Sequence, residues 1–345
     1  MPGPAATLPS TAGRLLVVRL SHLGDVVCGL PAWHALRRAR PEARLGWVVQ
    51  AEFAPLLEVL PGLELVRFDR SGGLGAWRTL RRELRAFAPD ATLDVQGNAK
   101  SAAAAWLSGA GRRYGPQRAE WQEPWAARAT PLLASAAAGP HPVQRAVAVA
   151  EAALGQPVEA RTELPLPAEL RARGARLLDQ LLPDRGRPRR VVHPGREGDA
   201  RTLPARSLVE VLRRLHAEED LLVVTGPAEA EVGAGLAESL PPGPGMGHLI
   251  GQRGLPELAG LLHAAGEAGL RLLVGDSGPA HLAASVGVGT DTWFGPTDPL
   301  KTGPWPPMGC ADSGHRAHRA ADGDLTRLDP AALARALRAG AALRA

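Results

Sequence analysis

The alternation of short apolar runs with helix-length segments constrains this chain more than any single motif in it. In the first half, RLLVVRL (14–20), LGWVVQ (45–50), LELVRF (63–68) and DATLDVQ (90–96) each lead into a stretch with helical periodicity. Strands separated by helices build parallel sheets covered by helices on both faces, so the fold class is α/β. The second half repeats the rhythm in RRVVHPGREGD (189–199), LLVVTGPAEAE (221–231), RLLVGDSGPAHLAA (271–284) and DTWFGPTDP (291–299). A chain of 345 residues exceeds one ordinary core, and two domains of this kind are expected, over 1–165 and 166–345. The linker is expected within GQPVEARTELPLP (155–167), after a helix over 142–154. The intervening 108–140 is rich in Gly, Pro and Trp and reads as loops and short helices.

Composition narrows the partners. Hydrophobic residues make up 45% of the chain and charged ones 22%, which excludes extensive disorder. The net charge is +5, but the cations are arginines dispersed through helical patterns, with lysine only at Lys100 and Lys301. Aromatics are 4% of the chain, too few for the stacking platforms of single-strand binders, so no nucleic-acid partner is expected. The charge does suit phosphate-bearing ligands and peripheral contact with an anionic inner membrane surface. Cys28 and Cys310 cannot make a disulfide framework and have no metal-ligand spacing. The opening MPGPAATLPSTAG lacks the pattern of a signal peptide, and no run approaches 18 apolar residues, so a cytoplasmic location is expected.

The strand exits of the second half carry the chemistry. Each breaks into a turn built on glycine, and ligands of parallel α/β sheets bind beyond the carboxyl ends of the strands. Glycine there lets backbone N–H groups approach a phosphate, so four such turns read as a nucleotide site. The familiar phosphate motifs do not fit. No G-x-G-x-x-G follows a strand, and GNAKS (97–101) has Ala99 where a P-loop needs glycine before its lysine.

Taken in order, RLSHLGDVVCGLPA (19–32), WVVQAEFAPLL (47–57), LDVQGNAKSA (93–102), VVHPG (191–195), GPAEAE (226–231), DSGPAHLAA (276–284) and FGPTDP (294–299) resemble the glycosyltransferases of family 9, which include the lipopolysaccharide heptosyltransferases. The resemblance implies the GT-B fold, two Rossmann-like domains whose parallel sheets face a central cleft. It assigns the acceptor to the N-terminal domain and the nucleotide-sugar donor to the C-terminal one. It further implies an inverting transfer that needs no metal and no cofactor, with ADP-heptose as the leading donor and a glycolipid or surface polysaccharide as acceptor. A non-catalytic nucleotide- or sugar-binding protein, or another GT-B enzyme such as a nucleotide-sugar epimerase, are the competing readings.

Residue by residue, Asp25 is the expected catalytic base, taking the proton of the attacking hydroxyl. A cap on a helix beginning near Val26 is its bland alternative. Ser21, His22, Gly24 and Gln96 fall on the acceptor side. Asp276, Ser277, Gly278 and His281 match the diphosphate-binding turn, where backbone donors at a helix start would meet the charge of the leaving group. Arg201 stands where the family carries a basic residue, commonly lysine, toward the donor phosphates. Glu229 matches a position that holds ribose hydroxyls, and Thr297, Asp298 and Lys301 close the same edge. Gln50 departs from the glutamate often found at that place, and the acceptor pocket within 108–140 matches no motif.

Overall fold

In the computed structural model, residues 7–134, 139–252, 254–308, 310, 313–320 and 322–343 are described. The chain divides into two units, Met1–Leu164 and Pro165–Ala345.

The first unit runs β1 (Arg14–Val18), α1 (Leu23–Cys28), α2 (Leu30–Ala39), β2 (Arg44–Gln50), α3 (Ala54–Leu57), β3 (Leu63–Phe68), α4 (Gly73–Phe87), β4 (Ala91–Asp94), α5 (Ala99–Leu107), β5 (Arg112–Gly115), β6 (Leu132–Leu133) and α6 (Pro142–Leu154). The strands form one six-stranded sheet in the order β3-β2-β1-β4-β5-β6, with every pairing parallel. Strand residues buried on both faces explain the near-continuous apolar runs. Leu16 and Val18 of β1 pack with Leu80, Leu84 and Phe87 of α4 on one face, while α2 and α6 cover the other. The region expected to be loops and short helices contains two strands as well, β5 and β6, so short that neither shows a periodicity.

The second unit runs α7 (Ala168–Leu181), β7 (Arg189–His193), α8 (Ala205–His216), β8 (Asp220–Val224), α9 (Ala230–Ser239), β9 (Met246–Leu249), α10 (Leu255–Glu267), β10 (Arg271–Gly275), α11 (Gly278–Ser285), β11 (Thr290–Phe294), α12 (Pro299–Thr302), β12 (Arg316–Arg319) and α13 (Pro330–Arg338). Its sheet order is β12-β11-β10-β7-β8-β9, again wholly parallel. Leucines and valines of α8 and α13 close one core against β7, β8 and β10. On α7 and α10, Gly174 and Gly260 let two backbones meet, since a Cβ at Gly174 would run into the Gly260 carbonyl. At the amino edge, buried Asp291 of β11 accepts from Arg190 Nη1 at 2.7 Å and Arg271 Nε at 2.8 Å, tying three neighbouring strands. Against the rise that burial imposes, the His318 and Arg271 hydrogen bonds and the charges of Arg271 and Arg190 hold its carboxyl well below the usual carboxylate range.

Both sheets reverse their winding once. In the first unit the switch lies between β1 and β4, in the second between β7 and β10. The loops that diverge there leave a crevice at the carboxyl edge, the ordinary ligand site of such sheets.

Candidate active site

The first unit's switch point is built by the loops after β1 and β4. Arg19, the first residue beyond β1, is 3% exposed and uses its guanidinium three ways. Nε donates to the Asp25 carbonyl at 3.0 Å, Nη1 to the Val95 carbonyl at 2.9 Å, and Nη2 pairs with Asp25 Oδ1. Trp47 Nε1 donates to the Arg19 carbonyl at 3.1 Å, so the backbone that carries this arginine is itself held. The helix starts at Leu23 rather than near Val26, which puts Asp25 in its third position. Asp25 Oδ2 accepts from the His22 N–H at 3.3 Å, and the side chain is 38% exposed. Half of this carboxylate is therefore fixed by a buried cation and half opens to solvent.

Around it, His22 is exposed, Ser21 half-buried and Gly24 buried. Gln96 is buried and faces inward, its Oε1 accepting from Leu20 N at 2.7 Å. Its carbonyl takes a bond from Arg145 Nη1 at 3.1 Å, so Gln96 clamps the β1 exit to the β4 exit. Asp94 Oδ1 accepts from the N–H groups of Gln96 and Gly97 at 2.9 and 3.0 Å, and burial pushes its carboxyl up to about 6. A cavity of about 540 Å³ opens at the exits of β2 and β3, lined by Gln50, Glu52, Phe68, Asp69, Arg70 and Ser71. Glu52, two residues on from Gln50, contributes a carboxylate to this lining.

In the second unit, buried Asp276 directly follows β10, and α11 begins at Gly278 with Ser277 at its N-cap. Ser277 Oγ donates back to the Gly275 carbonyl at 3.1 Å, which leaves the first N–H groups of α11 uncapped by that side chain. Thr302 Oγ1 donates to Asp276 Oδ2 at 2.8 Å; burial raises the Asp276 carboxyl, while the Thr297 and Thr302 hydroxyls and the charge of Arg201 oppose the rise. Arg201 does not stand free. Its Nη2 and Nε meet Asp199 at 2.7 and 3.0 Å, and its carbonyl accepts from Trp293 Nε1 at 3.1 Å. Glu229 sits half-buried at the start of α9 with its carboxylate above Gly226. His281 is half-buried on α11, Asp298 caps α12 through Leu300 N at 3.0 Å, and Lys301 is exposed. A cavity of about 900 Å³ in this unit lies against Pro194, Asp199, Thr202, Leu208 and Leu325. None of Glu229, Asp276, Ser277 or Gly278 lines it.

Sequence reasoning missed Arg19, Arg145, Asp94 and Thr302. Two of them lay inside the blocks already singled out, as the R of RLSHLGD and the D of LDVQG, but only the folded contacts, Arg19 to the distant Val95 carbonyl and Asp94 to the N–H groups of its own exit loop, reveal their part.

Glycosyltransferase family 9 (heptosyltransferase) matches residues 77–329, well over half of the chain. The chain belongs to that family. It is accordingly a glycosyltransferase. The matched stretch holds every donor-side candidate and begins after Asp25. Lipopolysaccharide heptosyltransferase 1 of Pseudomonas aeruginosa is 29% identical over 310 residues, covering 84% of this chain and 81% of that one. Among solved structures, E. coli heptosyltransferase WaaC with ADP superposes with a TM-score of 0.72 at 23% identity, over 95% of this chain and 100% of the other. The E. coli ADP-heptose lipopolysaccharide heptosyltransferase II gives a TM-score of 0.72 at 20% identity, over 94% and 98%. These likenesses identify the two family 9 units as the GT-B fold. Among the described residues no helix is long and apolar enough to cross a membrane.

Proposed function

We propose that this family 9 enzyme transfers a heptose from ADP-heptose to a glycolipid acceptor of lipopolysaccharide core type, with inversion at the anomeric carbon and without a divalent ion or cofactor. The observation that carries the reading is the half-exposed Asp25 carboxylate, pinned by Arg19 at the switch point of the first sheet. The acceptor would be held by the first unit and the donor by the second. Asp25 Oδ2 accepts the proton of the acceptor hydroxyl as its oxygen forms a bond to the anomeric carbon. The bond from that carbon to the diphosphate breaks with its electron pair, and ADP leaves. Negative charge builds on the outer phosphate, where the amino end of α11 and Arg201 supply donors. Glu229 would hold ribose hydroxyls. His281, Thr297 and Lys301 would complete the donor side, and Ser21, His22 and the loop held by Gln96 would shape the acceptor side.

The relatives support the choice of donor: the Pseudomonas protein is named a lipopolysaccharide heptosyltransferase, and one E. coli structure holds ADP-2-deoxy-2-fluoro heptose. The acceptor would be met at the cytoplasmic face of the membrane. Release of ADP from ADP-heptose, measured with and without a heptose-free core glycolipid, tests the reading. Release that requires the acceptor and survives excess EDTA is expected. Equal release in its absence would indicate donor hydrolysis or epimerase-type chemistry, no release in either case would overturn ADP-heptose as the donor, and loss restored only by a divalent ion would overturn the metal-free mechanism.

A further inference from the structure

Along α4, Leu74, Arg78, Arg81, Arg82 and Arg85 stand at offsets of 0, 4, 7, 8 and 11 residues. At about 100° per residue these offsets place all five side chains on one third of the helix surface. That surface faces outward, because Leu80, Leu84 and Phe87 bury the opposite side, and Leu74 is 77% exposed. Some exposed arginines elsewhere sit beside carboxylates, as Arg38 does with Glu159, Arg44 with Glu64 and Arg67 with Glu58, while Arg171 and Arg176 of α7 are, like those of α4, exposed and in no ion pair among the described residues; what sets α4 apart is four such arginines on one face with an exposed leucine. Among the described residues, none of the four α4 guanidiniums pairs with an acid. The patch continues onto α5. A side chain at Gly109 would run into the Arg85 guanidinium, and Gly109 N donates to the carbonyl of Trp106, whose indole is 64% exposed.

We propose that this face of α4, with Trp106 at its border, docks the first unit onto an anionic phospholipid surface. Guanidinium forks bind phosphate in two-point contacts, and each arginine near an anionic surface multiplies the binding constant about five-fold. An indole beside them lodges at the level of the headgroups. The position suits a lipid-borne acceptor. α4 starts at the carboxyl edge of the sheet, directly after the Asp69–Ser71 rim of the 540 Å³ cavity, so a docked surface would run beside the edge that carries Asp25. The proposal rests on the transfer reading only for its acceptor being lipid-borne; vesicle binding is measured without donor, so the two can fail separately.

Co-sedimentation of the full chain with phosphatidylcholine vesicles, with and without about one-third phosphatidylglycerol, is the test. Binding is expected to the anionic vesicles alone and to weaken with salt. Arg78→Gln/Arg82→Gln should reduce it about 20-fold, Trp106→Ala should also weaken it, and Arg171→Gln/Arg176→Gln on α7, with the same change of charge, should leave it within about two-fold. No binding to anionic vesicles, or equal loss in the two arginine pairs, overturns the proposal. Displacement by inorganic phosphate beyond that by chloride at matched ionic strength would mean a discrete phosphate site instead. Equal or tighter binding of a single-stranded oligonucleotide through the same arginines would overturn it in favour of a nucleic-acid face.

Discussion

In the proposed mechanism Asp25 would serve two ends with one carboxylate, and the two separate by substitution. Oδ2 takes the His22 N–H in the first turn of α1, a job that asparagine performs as well; accepting a proton from a hydroxyl needs the charge. Asp25→Asn should therefore leave donor binding by calorimetry within a few-fold while kcat falls by about 10² or more. Turnover within about three-fold of wild type would reduce Asp25 to a cap. Arg201 poses the opposite question, because its charge is already answered by Asp199. Arg201→Ala should weaken ADP binding by about 1–2 kcal/mol, in the lower part of the range for charge-assisted bonds because the side chain is half-exposed and must leave Asp199. AMP should lose less than ADP if the contact is to the outer phosphate; an unchanged ADP affinity would place the diphosphate elsewhere.

Helices and strands differ in how far their sequences announce them. The strands β1, β2 and β3 and helix α6 lie where apolar runs and helical periodicity predict, because each spans enough residues to show a period; β4, though only four residues long, lies within the run DATLDVQ. β5, β9 and β12 have four residues each, carry arginine, glycine or histidine, and are strands only because a neighbour pairs with them. A contact between elements is equally silent in the sequence. At the α7–α10 crossing, Gly174→Ala puts a methyl against the Gly260 carbonyl, and backbone cannot rotate away as a side chain can. The helices must separate, at about 1–3 kcal/mol, and the melting temperature should fall by about 2–4 °C per kcal/mol. An unchanged melting temperature would mean that the helices part at no cost. On α11, Gly278→Val places a branched side chain where the proposed donor phosphate would approach, and on that reading ADP affinity should drop while the melting temperature holds.

For the whole molecule, acid should act through groups that the sequence lists but does not bury. Burial lowers His193 to about 4, and burial with the nearby Arg271 charge lowers His315 to about 4, against an unfolded value of 6.5. The unfolded chain binds more protons between these values, so the stability of the neutral forms is complete above about pH 6.5 and drains away as pH falls toward about 4. Each histidine accounts for about 3 kcal/mol at most. Asp94 has the reverse sign: its folded value near 6 lies above 3.8, so its protonated form stabilises at low pH and the gain vanishes as pH rises through about 6. Denaturant midpoints from pH 7 to 4 should fall less steeply in His193→Asn than in wild type, and more steeply in Asp94→Asn. Parallel curves for all three would mean that these side chains titrate in the fold as they do in water. The sequence by itself determined that the chain is two α/β units with glycine turns at the strand exits, and that Asp25, Ser277 and Gly278 stand at such exits, since periodicity and turn chemistry are local. Only the tertiary structure decided that Arg19, anchored on the Val95 carbonyl, grips Asp25 and that Gln96 is a clamp, because both depend on which distant strand lies next to which at the point where a sheet reverses its winding; that Arg201 is already paired with Asp199, two residues away, rests on a loop conformation that the sequence does not announce.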